Sequence, residues 1–287
     1  MFTMKTVQRA VAVSLSAISL TAVAACGNTN ASSSATKTDS SNVTQQTIIP
    51  GTLTVATGKP AYTPWVLDDK PESGKGYESA IIYALADKLG FKKDAVKWTR
   101  TTFDAAIAPG AKDWDLNIQQ FSITDERKKA VDFSPSYYNP TQAVVVRKDS
   151  KFASAKSASD FKDAAVGAMV GTTSYDFAKE KLNSNIQTFN DNAVLVQALD
   201  AGQIDALVVD TPTAVNIVES NQVKNAKVVG QIPGSEDPQG MGIVLPKDSK
   251  LTAKVSDALN DLEKDGTLKQ LQDKWLAAYT TDIPTLK

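Results

Sequence analysis

The chain has 287 residues with 31 basic and 32 acidic side chains, so its formal net charge at pH 7 is −1. A near-neutral chain without a basic tract lacks the electrostatic footprint of a nucleic-acid-binding protein. The sequence contains no histidine and a single cysteine, which excludes Ser-His-Asp catalysis, Cys-His catalysis and zinc sites built on histidine. It also lacks a phosphate-binding loop of the GxxxxGK[ST] type. We therefore predict no nucleic-acid partner, no metal site and no cofactor.

Residues 1–25 have the pattern of an export signal. Lys5 and Arg9 precede an uncharged run over 10–22, which is too short to span a bilayer and suits the core of a signal peptide. The segment VAACG that follows resembles the lipobox of bacterial lipoproteins, in which a lipid is joined to the cysteine. Cys26 has no disulfide partner in the chain. We predict that a lipid on Cys26 anchors the protein to the outer face of the cell membrane, at the cell surface or in the periplasm; an ordinary secretory signal is the alternative.

A polar segment follows the cysteine. Residues 27–47 are mostly Ser, Thr, Asn, Ala and Gln, and such a composition buries too little apolar surface to offset the entropy of ordering. We therefore predict a flexible tether over 26–47. The remaining body, 48–287, is long enough for two lobes or for one large domain with a substantial core.

Strand-like and helix-like segments alternate along this body. In one helical segment Ile81, Leu85 and Leu89 recur every four residues, and Gly90 marks its end. The patterns predict strands at 52–56, 96–98, 116–118, 142–146, 165–168, 186–189, 206–209 and 242–245. They predict helices at 77–89, 103–108, 175–182 and 193–201, one beginning at Pro212, and two more ending near Trp275. Strands separated by helices imply right-handed crossovers and parallel sheets, so the predicted fold class is α/β.

Several short motifs occur in order along the body. They are GYE at 76–78, FSITDER at 121–127 followed by VDFS and YY, GTT at 171–173, IDA at 204–206 leading to Asp210, and GMG at 240–242. Each motif alone is a weak signal. Together, over about 51–275, they resemble the signatures of the polar amino-acid-binding proteins of ABC importers, family 3 of the bacterial solute-binding proteins.

The resemblance implies a fold as well as a role. The fold is that of type II periplasmic binding proteins: two α/β lobes with mainly parallel sheets, joined by a two-segment hinge, with the ligand cleft between them. Lobe 1 would hold 48–141 and 238–287, and lobe 2 would hold 142–237. The role is that of a binding protein rather than an enzyme, with a free amino acid as ligand, an ABC permease in the membrane as partner, and a monomeric body.

The same resemblance assigns the groups that hold the ligand. Arg127 would pair with the carboxylate, for which its planar fork is suited, and Ser122 would assist it. Thr172 and Thr173 would receive the same carboxylate from the opposite lobe, between a strand and a helix N-terminus. Asp210, at the end of a strand where α/β sheets bind ligands, would pair with the ammonium. The structural alternatives are a surface arginine, a turn serine, a tight turn and a helix cap.

Aromatic and amide side chains would surround the rest of the ligand. Tyr62 and Trp65 match family positions that stack on the ligand side chain, with core packing of a loop as the alternative. Phe103 would line the same wall or lie buried in its helix. Gln119 and Gln120 offer both donors and acceptors, which suits a polar, uncharged ligand.

Two departures from the family pattern bear on the ligand. Segment 57–61 lacks the acidic residue that many relatives carry there, which argues against a basic ligand. Arg100 would reach an acidic side chain, or else is a solvated loop residue. We therefore expect a neutral polar amino acid such as glutamine, with glutamate or aspartate next.

Two other functions stay open. One is a surface sensor that binds the same ligand and signals to a partner. The other is a dehydratase-type enzyme on the same fold, for which Glu78 and Asp210 would be the acid–base candidates. A strongly raised carboxylate pKa in the cleft would favour the enzyme.

Overall fold

A computed structural model describes residues 42–182 and 185–287. Residues 1–41, with the predicted signal peptide, Cys26 and most of the predicted tether, lie outside the described residues. Within the described ranges no helix has both the length and the apolar composition needed to cross a bilayer.

The end of the predicted tether is ordered, contrary to expectation. Val43–Gln45 forms a 3-10 turn in which the Asn42 side chain accepts from the Thr44 amide, and Val43 packs on the core of the first lobe. Thr47 is buried, and the amide of Ile48 donates to Asp115 Oδ1 at 2.8 Å. These polar residues are held because the body offers them partners, which composition alone does not reveal.

The described body consists of alternating strands and helices. In chain order they are β1 (Leu53–Gly58), α1 (Tyr77–Lys88), β2 (Val96–Thr101), α2 (Phe103–Ile107), β3 (Leu116–Asn117), β4 (Val131–Tyr138), β5 (Gln142–Arg147), β6 (Val166–Met169), α3 (Thr173–Lys181), β7 (Gln187–Phe189), α4 (Asn192–Asp200), β8 (Ala206–Asp210), α5 (Thr211–Glu219), β9 (Ala226–Gln231), β10 (Met241–Pro246), α6 (Thr252–Lys264) and α7 (Thr267–Trp275). The predicted elements are all present with boundaries shifted by a few residues. Strands β4 and β9 were not predicted, because Pro135 and Gly230 interrupt their patterns.

The strands form two sheets of five, one in each lobe. The first has the order β2-β1-β3-β10-β4 and the second the order β7-β6-β8-β5-β9. In the first, β1 pairs in parallel with β2 and β3, whereas β10 is antiparallel to β3 and β4. In the second, β6 pairs in parallel with β7 and β8, whereas β5 is antiparallel to β8 and β9. The expectation of mainly parallel sheets is therefore corrected to mixed sheets, because β5 and β10 enter a sheet directly from the other lobe without a crossover helix.

Each lobe has its own hydrophobic core. On one face of the first sheet, α1, α6 and α7 pack around residues such as Leu85, Leu259 and Leu268. The apolar repeat predicted for α1 forms this buried face, and each fully buried leucine contributes about 1.5–3 kcal/mol. The second sheet is covered on both faces, by α4 and α5 on one side and α3 on the other.

Two segments between strands connect the lobes, 139–141 between β4 and β5 and 232–240 between β9 and β10, and the chain passes to the second lobe a third time after α7. The predicted lobe boundaries at 141/142 and 237/238 fall at or within these segments. The exact division of the chain into lobes remains a prediction. The end of the chain departs from the expected range 238–287 of lobe 1. The Gln231 amide donates to Pro284 O at 2.7 Å, the Leu286 amide donates to Gln231 O at 2.9 Å, and Leu286 is buried in the core of the second lobe.

Candidate functional site

A cavity of about 310 Å³ lies between the two lobes. The first lobe lines it with the loop after β1, the start of α2 and the segment after β3, and the second lobe lines it with the ends of β6 and β8 and the N-terminal turns of α3, α4 and α5. Carboxyl ends of strands and helix N-termini present unpaired backbone amides and fixed dipoles, so this is where α/β folds bind ligands. The volume is at the small end of the range for ligand pockets, about 300–1,000 Å³.

The structure brings most of the predicted site residues to this cavity. Those that line it are Tyr62, Phe103, Gln119, Gln120, Ser122, Arg127, Thr172, Thr173 and Asp210. Three others, Trp65, Glu78 and Arg100, are not among the lining residues, and each has another structural role.

Arg127 is buried and spans the cleft. Its Nη1 donates to Ser122 O at 2.7 Å within its own lobe, and its Nη2 donates to Gly171 O of the other lobe at 2.9 Å. The guanidinium carbon lies 5.3 Å from the centroid of the Phe103 ring, which also lines the cavity. Burial lowers the pKa of Arg127, an effect that the carboxylates of Asp237 and Asp210 oppose; the guanidinium stays charged. The surface-arginine alternative is therefore wrong for this residue.

Two hydroxyls meet across the cleft beside the arginine. Ser122 Oγ and Thr173 Oγ1 are 3.0 Å apart and share a hydrogen bond between the lobes. The Thr172 hydroxyl is used locally, since it accepts from the Tyr175 amide at 3.2 Å and donates to Met169 O at 2.7 Å. Thr172 is thus the cap of α3, and Thr173 supplies the hydroxyl that crosses the cleft.

Sequence reasoning missed an acidic residue at this point, Asp237 in the connecting segment 232–240. Its side chain is 1 % exposed. Burial raises the pKa of Asp237, and hydrogen bonds from Ser122 and Thr173 partly oppose that rise. Nothing in the local sequence distinguishes this aspartate from an ordinary solvent-exposed loop residue, because its partners lie far away in the chain.

Asp210 faces the cavity from the end of β8. It precedes α5, but its side chain makes no capping hydrogen bond there, so the cap alternative is wrong. Its Oδ1 accepts from Gln142 Nε2 at 2.8 Å, and Gln142 Oε1 accepts from Ser174 at 2.5 Å. Burial raises the pKa of Asp210 to about 7, and the nearby negative charge of Asp237 adds to the rise.

Glu78 holds a lining residue rather than lining the cavity itself. Its Oε1 accepts from the Gln120 amide at 2.7 Å and from the Tyr137 hydroxyl at 2.5 Å, and its Oε2 accepts from the Gln120 side chain. Burial raises the pKa of Glu78 to about 7, although these hydrogen bonds lower it. Gln120 needs this support because its backbone has φ = 52°, in the left-handed region.

Trp65 and Arg100 take structural roles instead of the predicted ligand contacts. Trp65 is fully buried in the core of the first lobe, where its indole Nε1 reaches across to Thr213 Oγ1 at 2.9 Å. Arg100 Nη1 donates to Gly58 O at 2.8 Å and contacts the carboxylate of Asp69, so it ties together the loop that follows β1. Trp65 therefore packs in the core instead of stacking on the ligand side chain. Arg100 holds the loop instead of reaching an acidic side chain of the ligand.

The second lobe also brings unpredicted residues to the cavity. Asn190, Asp191 and Asn192 line it where the chain enters α4, and Thr213 lines it from α5. Asp191 could be recognised from sequence only as a helix cap, a role it fills through a 2.8 Å hydrogen bond from the Val194 amide. The cleft location of this turn depends on the fold of the whole lobe.

Comparisons with known proteins agree with this architecture. Residues 53–278 match the sequence profile of "Bacterial extracellular solute-binding proteins, family 3". The L-cystine-binding protein TcyJ of Escherichia coli (strain K12) is 31% identical over 234 residues, covering 80% of this chain and 85% of that protein. The solved structure of an ancestral arginine-binding protein bound to glutamine is 33% identical with a TM-score of 0.66, covering 79% of this chain and 98% of the other. An ancestral amino acid-binding protein described as a precursor of cyclohexadienyl dehydratase is 34% identical with a TM-score of 0.64, covering 79% and 95%.

Proposed function

Because the chain belongs to family 3 of the bacterial extracellular solute-binding proteins, within the solute-binding proteins of amino-acid ABC importers, we propose that it captures a free amino acid between its lobes and delivers it to a membrane permease. The observation that carries the proposal is the pair Arg127 and Asp210, which line one cavity with opposite charges from opposite lobes. A free amino acid carries the complementary pair, a carboxylate and an ammonium.

The two charged groups of the ligand must be matched inside the cleft, because burying an unpaired charge is costly. The fork of Arg127 can donate two hydrogen bonds to the carboxylate, with the Ser122 and Thr173 hydroxyls beside it. The ammonium would pair with Asp210. A nearby cation favours the ionised carboxyl, so binding would lower the raised pKa of Asp210.

Binding and lobe closure would be coupled. Arg127 and the Ser122–Thr173 pair connect the lobes directly, and a ligand held at this point would contact both lobes at once. Such a ligand favours the closed arrangement by its contacts there, and the permease would recognise that arrangement. No bond of the ligand is broken.

The ligand would be a polar amino acid, a neutral one such as glutamine ahead of an acidic one. The amides of Gln119 and Gln120 on the cavity wall support a polar ligand. We further propose that the body acts as a monomer.

A lipid on Cys26 would hold the protein at the outer face of the cell membrane. A Cys26→Ala variant should be secreted and lack the mass of the lipid. A wild-type protein with no added mass on Cys26 would contradict this proposal.

Thermal unfolding of the purified full chain in the presence of each amino acid tests the binding role. A ligand that binds only the folded state at 100 times its Kd adds about 2.7 kcal/mol to the free energy of unfolding. We expect a shift with one or a few amino acids, abolished in Arg127→Ala and in Asp210→Ala. No shift with any amino acid, in protein shown to be folded, would refute amino-acid binding.

A second candidate, dehydratase-type catalysis, is favoured by one observation. Asp210 lines the cavity with a pKa raised to about 7, which suits a general acid or base near neutral pH. Glu78 is less suited, because its oxygens are occupied by Gln120 and Tyr137. Incubation with a hydroxyl-bearing cyclohexadienyl carboxylate and mass analysis would detect loss of that hydroxyl as water; absence of product would rule out this reaction.

A further inference from the structure

We propose that the cleft selects amino acids whose side chains end in N–H groups and discriminates against side chains that end in a carboxylate. The inference rests on the proposed amino-acid binding. The selecting surface, here called the side-chain wall, consists of Thr57, Tyr62, Gln119 and Asn192, all of which line the cavity.

The side-chain wall carries polar atoms without partners. Thr57 Oγ1, Gln119 Oε1 and Asn192 Oδ1 are buried and have no hydrogen-bond partner within the described ranges, and the hydroxyl of Tyr62 lies beside the Ala193 amide. The amide oxygens of Gln119 and Asn192 only accept hydrogen bonds, whereas the two hydroxyls can donate or accept. A ligand that leaves one buried acceptor unpaired loses about fivefold to hundredfold in affinity relative to one that donates to it. An N–H group therefore fits this wall better than a carboxylate, which brings only acceptors.

The wall is assembled from both lobes. Gln119 can approach the end of β1 because residue 58 is glycine; a Cβ there would lie 3.3 Å from Gln119 Nε2 and 2.7 Å from Pro60 O. Tyr62, farther along the same loop, reaches the second lobe beside Asp191 and the Ala193 amide. A ligand side chain at this wall therefore meets Gln119 of one lobe and Asn192 of the other.

The tyrosine keeps its proton in this environment. Burial raises the pKa of Tyr62 to about 12, and the negative charge of Asp191 adds to the rise. The neutral phenol is able to donate to a ligand acceptor and to accept from a ligand donor.

The charges around the cavity also disfavour a ligand side chain that ends in a carboxylate. The charged lining residues are Lys59, Arg127, Asp104, Asp191 and Asp210. If the ligand's carboxylate pairs with Arg127 and its ammonium with Asp210, one lysine and two aspartates remain, a net charge of −1. A further carboxylate on the ligand would add to this negative charge, whereas an uncharged amide or a guanidinium would not.

The proposed selectivity differs from an expectation drawn from the sequence, which disfavours a basic ligand. The lack of an acidic residue in 57–61 argues against a basic ligand only if no other segment brings an acidic residue to the cavity. The structure brings Asp104 from α2 and Asp191 from the start of α4 to the same cavity, so basic side chains stay within the accepted class.

Isothermal titration calorimetry of the full chain with glutamine, arginine and glutamate at pH 8 tests the inference. Wild-type protein should bind glutamine or arginine at least tenfold more tightly than glutamate. In Asn192→Asp, which replaces the amide with a carboxylate of nearly the same shape, the preference for arginine over glutamine should rise by about tenfold.

A matched control is Gln187→Glu, an exposed residue of β7 in the same lobe that does not line the cavity. It adds the same charge and should leave all affinity ratios within about twofold of wild type. If the affinity ratios change equally in both variants, the side-chain wall does not determine the selectivity.

The wild-type measurement distinguishes a failure of amino-acid binding from a failure of selectivity. If no amino acid binds, the proposed function fails. If glutamate binds as tightly as glutamine and arginine, the protein binds amino acids but the selectivity inferred here is wrong, whether or not Asn192→Asp folds.

Discussion

The indole Nε1 of Trp65 donates a hydrogen bond to Thr213 Oγ1 of the opposite lobe at a distance of 2.9 Å. Both residues are buried, and the Trp65 ring packs edge-on against Tyr138 with centroids 5.6 Å apart. Thr213 also lines the cavity. A tryptophan anchored in the core of one lobe therefore contacts the wall of the ligand cleft in the other.

Loss of this hydrogen bond should weaken ligand binding. In Trp65→Phe the Thr213 hydroxyl loses its buried partner, which costs about 1–2 kcal/mol in the closed arrangement and raises Kd about fivefold to thirtyfold. Calorimetric titration with the identified amino acid measures this change. Trp275→Phe, in α7 away from the cavity, is the control and should bind normally. A Trp65→Phe variant with wild-type affinity would contradict the role of the contact in closure.

The planar guanidinium group of Arg127, and not only its positive charge, should be essential for ligand binding. Arg127→Lys keeps the positive charge, but its three N–H donors are too few for Ser122 O, Gly171 O and both oxygens of a ligand carboxylate. We expect a loss of about 2–5 kcal/mol in binding free energy, with the circular dichroism spectrum unchanged. Arg147→Lys, on β5 of the second lobe, should bind ligand as the wild type does. Binding by Arg127→Lys within threefold of wild type would refute the carboxylate assignment.

Stability should depend on pH through Asp210. Its pKa in the folded state is about 7, above the ordinary value of 3.8, chiefly because of burial. Between those values the folded protein binds more protons than the unfolded chain, so the free energy of unfolding falls as pH rises from about 4 to 7. Asp210→Asn lacks this titration and should gain about 2–4 kcal/mol over wild type at pH 8 but little at pH 4. Urea unfolding at both pH values measures the difference.

The control for this effect is Asp257→Asn, an exposed residue of α6. The free energy of unfolding of this variant should change with pH as that of the wild type does. A gain in Asp210→Asn that is the same at pH 4 and pH 8 would show that ionisation of Asp210 is not its cause.

Two glycines should respond differently to the same substitution. A Cβ at Gly76, which precedes α1 with φ = 101°, would lie 2.5 Å from Trp65 O and 2.8 Å from Val66 Cα. Gly90 has φ = 83° but nothing within 4 Å of the added atom. Gly90→Ala should therefore cost about 1–2 kcal/mol from backbone strain alone, and Gly76→Ala about 2–5 kcal/mol because overpacking is added. Equal losses in thermal unfolding would contradict this account of the Trp65 contact.

The sequence was informative where the controlling interactions are local. The repeat of Ile81, Leu85 and Leu89 predicts α1, because helix periodicity is set within a few residues. Strand β4 was missed because Pro135 and exposed positions hide its alternation, and its place in the sheet depends on β10. Arg127 and Asp210 were found because they lie in motifs with family parallels.

The sequence by itself determined the α/β class, the choice of Arg127 and Asp210 as candidate site residues and the exclusion of histidine-based chemistry, because composition, periodicity and motifs are properties of short stretches of chain. Only the tertiary structure decided that Trp65 joins a core and that Glu78 supports Gln120. It also decided that Asp191 and Asn192 line the cleft, and that Asp237 contacts Ser122 and Thr173. The physical reason is distance along the chain. The Ser122–Thr173 and Trp65–Thr213 contacts join residues 51 and 148 positions apart, so burial and partners there depend on the packing of two complete lobes.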